Sequence, residues 1–189
     1  MAVRQYSLRK DGNTRLSENF LVREFASRDG SDKILIEEAL VSLLQQLRDH
    51  FQTPIIINSG FRTPAHNRAV GGSAASLHLR GAAADIVVRG VAPLEVARRA
   101  EQMNIGGIGL YQGFVHVDTR FNSVRWDNRG TQMLLVAGFG GSFYNTTPAA
   151  VGAASTAVDI SAEPAVAIDA ANLVAERMFT VNGEKLPFG

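Results

Sequence analysis

The stretch from Lys33 to Ile57 constrains the fold more than any other part of the chain. Ile36, Leu40, Leu43, Leu44, Leu47 and Phe51 recur at the spacing of an amphipathic helix, so the pattern predicts a helix over 33–51 with one apolar face. Thr53–Pro54 ends it, because proline cannot continue the hydrogen-bond ladder. The β-branched run Ile55–Ile56–Ile57, bounded by Pro54 and Asn58, then reads as a buried strand.

Shorter signals fill in the rest. Leu16–Phe25 reads as a short helix with Ser17 as N-cap and Phe20, Leu21 and Phe25 as its apolar contacts. Asp29–Gly30–Ser31–Asp32 reads as a turn followed by a helix start. Pro64–Val70 can form a short helix closed by Gly71–Gly72, which lacks the Lys-Ser/Thr of a phosphate-binding loop. Ala83–Val88 reads as a strand and Pro93–Met103 as a helix with proline near its first position. Ile108–Tyr111 and Phe114–Thr119 flank Gln112–Gly113 as a hairpin. Helices early and antiparallel strands later give an α+β class, a small antiparallel sheet flanked by helices.

Charge and composition change near residue 131. Residues 1–130 carry 17 Lys+Arg against 13 Asp+Glu, whereas 131–189 carry 2 against 5 and are rich in Ala, Gly, Ser and Thr. The expected organisation is therefore a functional domain over 1–130 and a C-terminal Ala-rich extension over 131–189. Within the extension, Met133–Phe139 is an apolar run and Glu163–Met178 reads as an Ala-rich helix, a docking or oligomer contact or else a solvated tail. The overall net charge of +1 gives no nucleic-acid footprint. No run reaches the roughly 18 apolar residues of a membrane span, and the start MAVRQYSLRK lacks the apolar core of a secretory signal. Synthesis in the cytoplasm without a signal peptide is the expectation. With no cysteine, any metal site must be built from His, Asp or Glu.

The four histidines divide into two pairs. His50 falls near the end of the long helix, a structural position favoured by the helix dipole, and His66 lies in the turn at Thr63–Asn67. His78 is followed by a glycine turn and then Asp85 at the start of a strand. In Phe114-Val-His-Val-Asp118, period-two alternation puts Phe114, His116 and Asp118 on one face. Two histidines and a carboxylate suit a catalytic zinc with one position left for water. The same spacing also suits a hydrogen-bonded structural His–Asp pair, and Asp85 could instead cap a turn.

The segment Ser76-x-His78-x-x-Gly81-x-Ala83-x-Asp85 resembles the zinc-ligand signature of the zinc D-Ala-D-Ala carboxypeptidases, peptidase family M15, and most of all its subfamily A C-terminal-domain branch of phage and bacterial cell-wall hydrolases. Asn58-Ser-Gly-Phe-Arg62-Thr-Pro-x-x-Asn67 upstream fits the same pattern, as do Gly106-Gly-Ile-Gly-Leu-Tyr111 and Phe114-Val-His-Val-Asp118 downstream. The likeness covers about residues 6–126. It implies the zinc D,D-peptidase (hedgehog-like) fold and a zinc ion held by His78, Asp85 and His116. It also implies that Arg62 binds substrate and stabilises the oxyanion; an ordinary salt bridge, for instance to Asp118, is the alternative. Well-studied members carry their general base three residues before the last histidine, where this chain has Gly113. Asp118 is then either the substitute base or the group that orients His116. Ser76 supports the turn or the substrate, and Trp126 lines the substrate groove or closes the core. The resemblance implies a zinc peptidase acting on peptidoglycan stem peptides or cross-links at a D-alanine bond, reaching the wall by phage lysis or in a virion. The competing expectation is a zinc-containing but inactive wall-binding or structural module, and a third is an unrelated α+β protein.

Overall fold

The computed structural model describes residues 2–130 and the pairs 134–135, 142–143, 180–181 and 184–185. Two small strands open the chain. β1 (Val3–Ser7) pairs antiparallel with β2 (Lys33–Glu37), Val3 opposite Glu37 and Ser7 opposite Lys33. Between them lie the single turn α1 (Leu8–Asp11) and a 3-10 turn at Val22–Phe25. The expected helix over 33–51 is therefore corrected: α2 begins at Glu38 and runs to Phe51. Ile34 and Ile36 are buried while Lys33 is exposed, a period-two pattern that serves the pairing with β1. Ile36 satisfies both periods, which is why the helical spacing overran the strand.

The helix expected at Leu16–Phe25 is also absent. Arg15 bridges Leu21, and the Ser17 hydroxyl donates to Gln45 of α2 at 2.8 Å instead of capping a helix. Phe20 and Phe25 are core residues as expected, meeting edge to face with centroids 6.2 Å apart.

The main sheet holds β3 (Ile55–Ser59), β4 (Ala83–Val88), β5 (Gly107–Leu110), β6 (Val115–Asp118), β7 (Val124–Asp127) and β8 (Leu134–Leu135). Among the described residues its order is β3-β4-β6-β5-β7-β8, antiparallel except for the parallel pair β5–β7. The α+β class holds, with a small antiparallel sheet beside this larger mixed one. One face carries Ala84, Ile86, Ile108, Leu110, Val115 and Val117 into the core. There it meets Leu40, Leu44 and Leu47 of α2 and Val96, Ala97 and Ala100 of α4 (Pro93–Gln102). Each fully buried leucine contributes about 1.5–3 kcal/mol. The opposite face is left for polar residues. Above it lie α3 (Pro64–Ala69) and a 3-10 turn at Leu77–Arg80.

Sheet and core continue past residue 130. β8 pairs with β7, and Phe143 is wholly buried in the main core. Glu101 on α4 accepts the Phe143 backbone N–H and the Ser142 hydroxyl, each at 3.0 Å. A further hairpin joins β9 (Thr180–Val181) to β10 (Glu184–Lys185). The expected helix at Glu163–Met178 lies outside the described residues. Among those residues, no helix is long and apolar enough to cross a membrane.

Candidate metal centre

Register on the polar face assembles the site. Antiparallel pairing of β4 with β6 sets Asp85 opposite His116 and Ala83 opposite Asp118. His78 arrives from the 3-10 turn, which Ser76 caps by accepting the His78 backbone N–H at 3.3 Å. The turn ends at Gly81, whose φ of +69° and tight approach to the Leu35 carbonyl exclude a side chain. The Asn58–Arg62 segment is tied to the same turn: Arg62 donates its backbone N–H to the His78 carbonyl at 3.0 Å.

Three donor atoms converge. His78 Nε2 lies 3.2 Å from His116 Nδ1 and 3.4 Å from Asp85 Oδ1, and the last two are 2.9 Å apart. All three residues are buried. The outward atom of each is already engaged. His78 Nδ1 meets the Gly60 carbonyl at 2.7 Å, His116 Nε2 meets Asp118 Oδ2 at 3.1 Å, and Asp85 Oδ2 accepts Arg62 Nη2 at 2.6 Å. Those partners assign N–H to the outer nitrogen of each ring and leave both inner lone pairs and Asp85 Oδ1 facing one point. Tetrahedral zinc with bonds of about 2.0–2.1 Å spaces its ligand atoms about 3.3 Å apart, so this triangle fits the ion.

Electrostatics points the same way. Burial would lift the Asp85 carboxyl, but the His78 and Arg62 charges and the hydrogen bonds from His116 and His78 hold it well below the usual carboxylate range. Burial disfavours charge on the His116 imidazole, yet hydrogen bonds to Asp118 and Asp85 outweigh it and raise the group to about 9, so without a cation the inner nitrogen holds a proton that a bound metal would replace.

The remaining expected residues surround this triangle in ways the sequence left open. Arg62 is 3% exposed, its Nε on Ser59 Oγ at 2.8 Å; its carboxylate partner is Asp85, not Asp118. Asp118 is wholly buried. Its Oδ1 accepts the Arg120 backbone N–H (3.0 Å) and Nε (2.8 Å), and its Oδ2 accepts Arg120 Nη2 (2.6 Å) and His116 Nε2. Burial lifts its carboxyl, but the bonds from His116 and Arg120 win and hold it far below normal. The roughly four acceptor directions of this carboxylate are therefore all engaged, one of them by the His116 ring. Ser76, expected at the turn or the substrate, is wholly buried at the turn. Trp126 is likewise 0% exposed, packed with Tyr111, Phe114 and Val124. Its ring lies 5.2 Å from that of His116, and its indole N–H donates to Tyr111 Oη at 3.2 Å.

Two glycines of β5 make this packing possible. A side chain at Gly107 would overlap the Asp118 carboxylate, and one at Gly109 would overlap the Trp126 indole. At Gly113, by contrast, a Cβ would meet nothing within 4 Å. His50 stacks edge-on against Phe51 and His66 sits on α3; neither belongs to the cluster. Sequence reasoning missed Arg120 and Ser59. The available signal for Arg120 was its Asp-x-Arg spacing from Asp118 on the strand that carries His116.

A family model described as Peptidase M15 matches residues 15–118, more than half of the 189-residue chain, with His78, Asp85 and His116 inside the match. No curated protein matches the chain.

Proposed function

The chain belongs to the M15 peptidase family, and on that premise we propose that it is a zinc-dependent peptidase of peptidoglycan stem peptides or cross-links, cutting at a D-alanine-containing bond. The observation that carries this reading is the convergence of His78 Nε2, His116 Nδ1 and Asp85 Oδ1, each backed by a bond from its outer atom. A zinc ion held by these three supplies Lewis acidity toward a peptide carbonyl and acidifies water. The protein's own part is to hold the donors. Gly60 and Asp118 keep a proton on the outer nitrogen of each histidine, and Arg62 balances the Asp85 charge. We assign Arg62 to Asp85 and Asp118 to His116, and neither to proton transfer.

That assignment gives weight to a second reading. Gly113 stands at the position of the family's usual acid and Asp118 is fully engaged, so a zinc-bearing but weakly active or inactive wall-binding module is the competing function. In either case the protein works at the cell wall, delivered by phage lysis or in a virion.

Metal analysis of the purified protein and of His78→Ala, with peptidoglycan digestion by the same preparations, separates them. About one zinc per chain, lost in the variant, together with released peptides supports the peptidase. Zinc without product favours the binding module, and no zinc even after reconstitution sinks both.

A further inference from the structure

We propose that Arg120 is a positioning residue for this centre, fixing the His116 ring through Asp118 and Trp126. The proposal rests on the reading of the His78–Asp85–His116 cluster as a metal centre. Arg120 grips Asp118 with a fork, Nε on Oδ1 at 2.8 Å and Nη2 on Oδ2 at 2.6 Å, and adds its backbone N–H to Oδ1 at 3.0 Å. The remaining direction of Oδ2 goes to His116 Nε2. A buried carboxylate gripped at three points cannot turn about its Cβ–Cγ bond, so the direction in which it receives the imidazole N–H is set by Arg120. The guanidinium also lies 5.8 Å from the centre of the Trp126 ring, which in turn lies 5.2 Å from the His116 ring. One arginine thus contacts both Asp118, which accepts the imidazole Nε2–H, and Trp126, whose ring packs against the imidazole.

The chain holds its own comparison. Arg129 makes the same fork with Asp127, at 2.9 and 2.7 Å with a backbone bond of 3.0 Å. By strand alternation Asp127 faces away from the side of β7 that carries Trp126. A local Asp-x-Arg fork therefore forms with or without a histidine beside it; only at Asp118 is its second oxygen lent to a ligand.

The test uses the full-length protein, with zinc affinity read by competition against a chromophoric chelator and ligand geometry by the visible absorption of the cobalt(II) form. Arg120→Ala should weaken zinc binding about 10–100-fold and alter the cobalt bands, as expected when an outer partner of a ligand is removed. Arg120→Lys, which restores charge without the fork, should recover part of the affinity. Arg129→Ala should match wild type in both readouts. The proposal is overturned if Arg120→Ala keeps wild-type affinity and spectrum, or if Arg129→Ala loses as much. Should Arg120→Ala fail to fold, Arg120→Lys decides alone, and wild-type behaviour there overturns the proposal. Wild-type protein that binds neither metal removes the metal-centre reading itself, a failure distinct from the others.

Discussion

Replacing Arg62 by methionine removes a charge and keeps most of the side-chain volume, so its effect reports on the Asp85 carboxylate. The pair spans 2.6 Å, with the Arg62 and Asp85 side chains only 4% and 8% exposed. Breaking a buried pair from one side strands the other charge away from water, at a cost of about 3–5 kcal/mol. For a chain of this size about 1 kcal/mol moves the melting temperature by roughly 2–4 °C, so the metal-free variant should melt roughly 6–20 °C below wild type. The zinc-loaded variant should lose less than half of that, because a cation at the inner Asp85 oxygen compensates the same carboxylate. Thermal unfolding followed by circular dichroism, once in chelator and once in excess zinc, measures both differences. Equal losses in the two conditions would refute the reasoning, since Asp85 would then gain nothing from a cation. A loss under about 2 °C in chelator would refute the premise that Arg62 carries the balance.

Other perturbations test neighbouring parts of the argument. Asp118→Asn should weaken zinc binding about 10–100-fold in a chelator competition while zinc-saturated protein keeps its turnover; unchanged affinity with lost turnover would restore Asp118 as the general base. Gly107→Ala pushes a methyl into the Asp118 carboxylate and should lower stability in urea by about 1–3 kcal/mol, whereas Gly113→Ala, with open space around it, should stay within about 0.5 kcal/mol of wild type. Bonds from the Arg9 backbone N–H and the Ser7 hydroxyl lower the Asp32 carboxyl below its ordinary value. That stabilisation is present above the unfolded-state pKa near 3.9 and is lost as pH falls through the lowered native value. Asp32→Asn should therefore flatten the acid side of the stability profile below about pH 4, and an unchanged profile would count against it.

The contrast between what could and could not be read from the sequence follows distance along the chain. Ile55–Ile57, Ala83–Val88 and the hairpin around Gln112–Gly113 were legible because turn residues and β-branched runs act locally. The strand at Lys33–Glu37 was not, because its partner is Val3–Ser7, far off in sequence, and Ile36 fits a helix as well as a strand. Phe20 and Phe25 were recognisable as core residues, yet the turn holding them depends on Gln45 of another element. His78, Asp85 and His116 stood out because few residue types bind metals. The partners of Arg62 and Asp118 and the burial of Trp126 did not, since they follow from which strand neighbours which. Trp126 sits beneath His116 because β7 runs parallel to β5 and Gly109 leaves room for the indole; no local pattern announces that.

Phe143 gives the molecule a timetable. The three donors of the centre are all present in the nascent chain once His116 has been made, but the core that supports them has a vacancy until Phe143, 27 residues later, arrives to fill it. At synthesis rates of about 5–20 residues per second that interval lasts about 1–5 s. Among the described residues Phe143 is the most C-terminal buried ring, so the core that backs the centre is complete only once it has been made.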